Sequence, residues 1–275
     1  MDRAMLGIIK KQEEAADHSH EEMGDDGLLH CTVCHDPLEC VIELPLGKRK
    51  VRCACRCVTE KRRKWENAQS ELRRAGRRAE CFRGTNMADW NFENDDRRNP
   101  ELTAAMKNYA DDFESYRRRG QGLLLYGNVG CGKTYYAACI ANAVIDRGYR
   151  ALMTNFAAIS DELSGTWEKA EYIDGLMRYE LLIIDDLGAE RKSEYMQEIV
   201  WKIADARYRS GLPLIVTTNL TAEEIDKSGG IDNKRIYSRL LERCLAVEVK
   251  GRDRRREIAK RDWAQMRAGL GLGGV

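Results

Sequence analysis

Eight consecutive residues, Gly127-Asn128-Val129-Gly130-Cys131-Gly132-Lys133-Thr134, satisfy the pattern G-x-x-x-x-G-K-[ST] at every fixed position. The chemistry this spacing serves is phosphate binding. Glycines let successive backbone N–H groups turn inward around phosphate oxygens, and a helix starting here adds the positive end of its dipole. Lys133 is placed to reach the β- and γ-phosphates, and the Thr134 hydroxyl to ligate Mg²⁺.

Further along, Leu181-Leu182-Ile183-Ile184-Asp185-Asp186 is an apolar run that delivers two carboxylates at its end. Asp185 is expected to help hold Mg²⁺ through its shell, and Asp186 to orient and deprotonate an attacking water. Glu190 is a lesser candidate for that base. Asp185 follows Lys133 by fifty-two residues, enough for two intervening strand–helix units. Leu214-Ile215-Val216-Thr217-Thr218 ends in Asn219, which is suited to hydrogen-bond the γ-phosphate or the water. Arg235 and Arg239, four apart on one expected helix, face the same way. Either suits the stabilising guanidinium that a neighbouring subunit lends to phosphoryl transfer, with Arg239 favoured. Arg254 and Arg255 open a helix after the last expected strand and are placed to contact phosphate in cis.

A second constellation lies near the start of the chain. Six of the ten cysteines fall between Cys31 and Cys57, and Cys31-x₂-Cys34 followed by Cys53-x-Cys55-x-Cys57 has the composition of a four-thiolate zinc site. A segment of some thirty residues has no other way to build a core, so the metal is expected to be structural. Any two of Cys53, Cys55 and Cys57 can complete the set with Cys31 and Cys34. His30, His35 and Cys40 are outside candidates.

Alternating strands and helices must position the phosphate-site residues. Residues 123–126 read as strand, 133–147 as helix closed by Gly148, and 149–154 as strand. Two helices are expected at 156–163 and 167–178, then a strand at 181–185. A helix follows at 193–210, with Ser193 as N-cap and Met196, Val200 and Ile203 on one face. A strand at 214–218, a helix at 231–243 and a strand at 245–249 complete the pattern. Such alternation predicts a parallel sheet covered on both faces. Upstream, residues 101–119 read as one helix, 81–100 as irregular chain containing Trp90 and Phe92, and 58–79 as an exposed charged helix. The expected domains are a flexible acidic lead (1–30), a zinc module (31–58), a basic helix and linker (59–85), an α/β core (86–260) and a tail (261–275).

Composition narrows the class. The chain has 275 residues, 43% hydrophobic and 33% charged, with four prolines, which suits a helix-rich domain with a real core. No apolar run approaches the roughly 18 residues of a membrane span, and residues 1–11 lack a signal-peptide core, so a cytoplasmic protein is expected. Net charge is only +1, but residues 12–30 hold seven acids and no Lys or Arg, whereas residues 48–83 hold fourteen Lys or Arg against four Glu. That basic block suits nucleic acid or an acidic partner surface. Trp65 and Phe156 are the aromatics nearest a stacking role, and neither is assigned one.

GNVGCGKT, LLIIDDLGAE, LIVTTN and RIYSRL, in this order after DWNFEN and GQGLLLYG, resemble the AAA+ helicase-loader ATPases of the DnaC/IstB-like family over residues 86–256. The resemblance implies a P-loop NTPase fold with a five-stranded parallel sheet in 51432 order, here preceded by the zinc module and helix. It implies ATP hydrolysis with Mg²⁺, single-stranded DNA binding, and self-assembly or docking onto a ring-shaped replicative helicase. It also implies an arginine finger from the neighbouring protomer and a sensor arginine carried onto Arg255. Two departures stand out. Asp186 is a methylene shorter than the Glu common among such enzymes, so slow, assembly-dependent hydrolysis is expected. Gly251-Arg252-Asp253-Arg254-Arg255 replaces the Ser-Tyr-Arg usual in the family. Two other functions remain open: a transposition helper assembling on DNA with a transposase, and a nucleic-acid-binding adaptor that binds nucleotide without turnover.

Overall fold

In the computed structural model, residues 20–45, 47–165, 169–188, 194–220, 223–224, 238 and 240–270 are described. They fall into two compact units, residues 1–72 and 73–275.

The first unit contains two short antiparallel ribbons. Strands β1 (Glu21–Met23) and β2 (Leu29–Cys31) pair with Glu21 opposite Cys31. Residues 21–30, expected as part of a flexible lead, therefore lie within this ribbon and its turn. Its strands are only three residues long and carry acids, so they lack the apolar alternation that announces a strand. Strands β3 (Glu39–Leu44) and β4 (Gly47–Arg52) form the second ribbon, nearly every residue of which is exposed. Helix α1 (Arg56–Cys81) starts in this unit and ends in the second. Its N-terminus is held by Asp36, whose carboxylate accepts from the Arg56 backbone N–H at 2.9 Å and from the Arg56 guanidinium at 3.1 Å.

The second unit is a five-stranded parallel sheet. Its strands are β5 (Gly122–Tyr126), β6 (Ala151–Asn155), β7 (Leu181–Leu187), β8 (Leu214–Thr218) and β9 (Cys244–Glu248). They lie in the order β6-β7-β8-β5-β9. Counted within the sheet this is 51432, as the family resemblance implies. The central strands are continuous apolar runs because both faces are covered. Alternate residues serve alternate faces: Leu123, Leu125, Ile183 and Ile215 pack on one side, and Leu124, Leu182, Ile184 and Val216 on the other.

The first face is closed by α4 (Lys133–Asp146), through Ala137, Ala138, Ile140, Ala141 and Val144, and by α2 (Pro100–Asp111) and α3 (Phe113–Arg119). The single helix expected over 101–119 is broken at Asp112, which leaves helical geometry and lets Phe113 enter the core. The second face is closed by α5 (Phe156–Ser164) and α7 (Glu194–Ser210), through Phe156, Ile159, Leu163, Ile199, Val200 and Ile203. A short helix, α6 (Lys169–Leu176), sits between these two in sequence. The last helix, α8 (Arg254–Gly269), runs through residues expected as a tail, capped by the Asp253 side chain accepting from the Arg255 N–H. Trp90 directly follows one single-turn 3₁₀ helix (Met87–Asp89) and Phe92 opens another (Phe92–Asn94), and the segment is latched onto α4. Tyr135 donates to the Asn91 carbonyl at 2.6 Å, and the Asn142 amide donates to the carbonyls of Met87 and Trp90.

The Ser193 cap, Glu190 and most of the helix expected over 231–243 lie outside the described residues; of that helix, Leu240 is buried in the core. No helix among the described residues is long and apolar enough to cross a membrane.

Candidate functional site

The phosphate-type loop joins β5 to α4 at the C-terminal edge of the sheet, the edge where open α/β sheets bind ligands. Its glycines are required by their neighbours as well as by phosphate chemistry. Gly127 has φ +142° and a Cβ there would lie 2.5 Å from the Val249 carbonyl oxygen; Gly130 has φ +77° and its Cβ would lie 2.0 Å from an Asp253 carboxylate oxygen. Lys133 is buried, and its ammonium donates to three oxygens: the Gly127 carbonyl at 2.9 Å, the Asn128 carbonyl at 2.8 Å and Asn219 Oδ1 at 2.8 Å.

One strand over, the carboxylate pair ends β7. Thr134 Oγ1 donates to both oxygens of Asp185, at 3.0 and 3.2 Å. Octahedral Mg²⁺ with oxygens at about 2.1 Å places adjacent ligands roughly 3 Å apart, so this pair fits that ion's shell. Burial raises the Asp185 carboxyl above its usual range, partly offset by the hydroxyls of Thr217 and Thr134 and by the charge of Arg255. A cation beside it would favour the ionised form. Asp186 has φ +55°, a left-handed conformation unusual for a residue with a side chain. Asn219 Nδ2 lies 3.5 Å from Asp186 Oδ1, so the Asn219 amide spans the interval between Lys133 and Asp186.

The chain leaving β9 runs along the loop. The Arg254 N–H donates to the Gly130 carbonyl at 3.0 Å, and the mostly buried Arg254 guanidinium pairs with Asp96 at 3.1 Å beside Gly132. Arg255, one residue on, is exposed.

In the N-terminal unit, Cys31, Cys34, Cys55 and Cys57 converge, with all four sulfurs within 4.8 Å of one another. Cys57 Sγ lies 3.5 Å from Cys31, 3.6 Å from Cys34 and 3.1 Å from Cys55. A tetrahedral ion with Zn–S of about 2.3 Å needs sulfurs about 3.8 Å apart, so the set fits a closed four-thiolate site. The backbone amides of Cys34 and Val33 point at the Cys31 sulfur and bring its thiol down to about 6, which favours the ligating thiolate. Cys53 is not in the set: its sulfur turns to the Pro37 carbonyl at 3.5 Å. The reason is geometric. Cys53 leaves β4, whereas Cys55 immediately precedes α1 and Cys57 lies in its first turn, and the helix start swings both inward. His30 and His35 pair instead with Asp26 and Glu22, and Cys40 is exposed on β3.

Residues 60–262 match the family described as "IstB-like ATP binding protein". The chain belongs to the IstB-like ATP-binding family. Among curated relatives, the replicative helicase loader DnaI of Bacillus subtilis is 24% identical over 179 residues, 60% of this chain and 58% of that protein. The replicative helicase loader DnaC of Escherichia coli K12 is 28% identical over 126 residues, 44% of this chain and 50% of that protein. The chain thus spans between half and three-fifths of the length of these relatives. The crystal structure of the DnaC helicase loader aligns with a TM-score of 0.54 at 21% identity, over 61% of this chain and 100% of that one. The structure of DnaI gives 0.55 at 23%, over 65% and 98%. At such identities the likeness is one of fold alone.

Within this IstB-like site the structure brings together Gly127 to Thr134, Asp185, Asp186 and Asn219, with Arg255 in electrostatic reach. Arg235 and Arg239 lie outside the described residues. The sequence reading passed over Thr217 and Asp96. Thr217 carried a weak signal, a polar residue inside an apolar strand; Asp96 carried none, since its partner Arg254 is remote in sequence.

Proposed function

We propose that this chain is an ATP-dependent helicase loader, which binds Mg-ATP and single-stranded DNA and loads or remodels a ring-shaped replicative helicase. The observation that carries the proposal is the grouping of Lys133, Thr134, Asp185, Asp186 and Asn219 at one sheet edge, in a chain with relatives named replicative helicase loaders. In this reading Lys133 supplies charge to the β- and γ-phosphates, and Thr134 with Asp185 holds Mg²⁺. Asp186 orients the attacking water and Asn219 hydrogen-bonds it or the γ-phosphate. Arg239 or Arg235 of a neighbouring copy supplies the finger, and Arg254 or Arg255 contacts phosphate in cis. Bound metal supplies charge neutralisation for phosphoryl transfer. Zinc on Cys31, Cys34, Cys55 and Cys57 would be structural, with no open position for chemistry.

The N-terminal unit and α1 are the proposed docking element. Val58, Trp65 and Leu72 recur every seven residues along α1 and are 54%, 64% and 67% exposed, among Lys61, Arg62, Arg63 and Lys64. Phe156, by contrast, is core. Engagement of DNA phosphates by these cations would weaken log-linearly with salt.

The test is recruitment. Full-length protein with ATP should capture a replicative helicase, K133A should not, and a variant lacking residues 1–72 should lose capture while still binding ATP. Capture by the truncated form equal to that of the full chain would remove the N-terminal unit from docking. Because the family is the IstB-like one, a transposition helper is the second reading, and capture of a transposase in place of helicase would establish it. Binding of nucleic acid alone, without turnover, would mark an adaptor. R239A should lose hydrolysis only in the assembled state, and mixing with parental subunits should restore it.

A further inference from the structure

Thr217 is a polar residue in the most buried part of the sheet. It lies near the end of β8, between Val216, which packs in the core, and Thr218, and is fully buried. Its hydroxyl is used twice, by consecutive residues of β7. Thr217 Oγ1 donates to Asp185 Oδ1 at 2.6 Å and accepts from the Asp186 backbone N–H at 2.9 Å. A hydroxyl has one proton to give, so its single donor direction is committed to Asp185.

The sheet register shows why a side chain is needed there. Ile184 pairs with Val216, but the next pair is Leu187 with Thr218, leaving Asp185 and Asp186 opposite Thr217 alone. At this bulge the Asp186 N–H has no ladder partner, and the Thr217 hydroxyl takes the place of one. The bond falls on a residue in the left-handed conformation, φ +55°, which persists in a residue with a side chain only where its surroundings impose it. That conformation turns the Asp186 carboxylate off the strand toward Asn219.

We propose that Thr217 is a positioning residue that sets both carboxylates of the acidic pair. It fixes the rotation of Asp185 through Oδ1 and the backbone of Asp186 through its N–H. The proposal rests on the reading of this site as a Mg-ATP site. It touches neither phosphate nor metal, and acts through Asp185 and Asp186.

The test compares T217V, which keeps the β-branched shape, with T217S, which keeps the hydroxyl, both in the full chain. Three quantities are measured: nucleotide binding in EDTA, the Mg²⁺ concentration for half-maximal activity, and kcat apart from KM. For T217V, metal-free nucleotide affinity should stay near parental and the chain should still melt cooperatively, at a temperature lowered by the Asp186 N–H left unpaired. Its Mg²⁺ requirement should rise and its kcat fall, each about tenfold, the scale of a lost hydrogen bond to a charged group. T217S should recover both to within about threefold. Parental Mg²⁺ dependence and kcat in T217V would overturn the proposal. So would a T217S protein as impaired as T217V, since the methyl group would then be what matters. If the parental chain binds ATP without turning it over, the readout is the Mg²⁺ enhancement of nucleotide binding, whose persistence in T217V overturns the role. A parental chain that binds no nucleotide refutes the ATP-site reading itself, and this role with it.

Discussion

Residues 20–72 and the unit that follows them hold their shape by different means. In the first, the buried residues among those described are two cysteines, Cys31 and Cys55, and the sheets are two-stranded ribbons of a kind marginal in water by themselves. Four sulfurs stand where a core would be. In the second, a parallel sheet buries alternate residues on both faces, and hydrophobic burial suffices. The lesson concerns division of labour: a unit gathered on four thiolates, the site proposed for zinc, keeps most of its side chains at the surface, whereas a packed core freezes its side chains into a site.

Removing the metal should break this contrast most visibly. Structural zinc contributes about 10–16 kcal/mol of apparent binding energy in small four-ligand domains. A strong chelator, or C55S, should therefore make residues 20–55 protease-sensitive while melting of the core is unmoved; parallel loss of both would mean the units are not independent. The reverse experiment acts on the core. I183A removes a fully buried side chain and should cost about 2–5 kcal/mol, read as a lower core melting temperature with zinc content unchanged. A finer cut lies within the module. C57S should lose zinc and C53S should retain about one per chain, since only Cys57 joins the thiolate set. Loss of zinc in C53S would reassign the ligands.

The smallest expected effect concerns Glu80, near the end of α1. It accepts from the Tyr179 hydroxyl at 2.6 Å and from Arg150 at 3.0 Å, which hold its carboxyl below the usual range, the Tyr179 bond foremost. A depressed folded-state value means stability that is present above the ordinary glutamate range and is lost as pH falls through the depressed value. E80Q should remove about 1 kcal/mol of core stability at neutral pH and progressively less in acid. Denaturation at pH 7 and at pH 3 checks this, and an equal loss at both would deny the charge its part.

Legibility in the sequence followed locality. The phosphate loop is eight adjacent residues whose flanks must be strand and helix, so its place and role could be read directly. The order of the sheet came with the family resemblance and agrees with the structure. The cysteine ligands were legible only as a set of five, because excluding Cys53 depends on where α1 begins, a boundary that spacing leaves open by a few residues. The acidic ribbon β1–β2 was invisible, since three-residue strands beside the four-cysteine cluster need no apolar pattern. Thr217 escaped notice because its work is done across strands, on partners thirty-one and thirty-two residues away.

The measurement that bears most directly on the account is a Mg-ATP titration of the full chain beside its K133A variant, with melting curves of both. The parental chain should bind one nucleotide. K133A should lose affinity about a hundredfold or more, as expected when a charge-assisted phosphate contact is removed, and melt like the parent. Equal affinity in the two proteins would contradict the assignment of the loop at Gly127 to Thr134 as the nucleotide site.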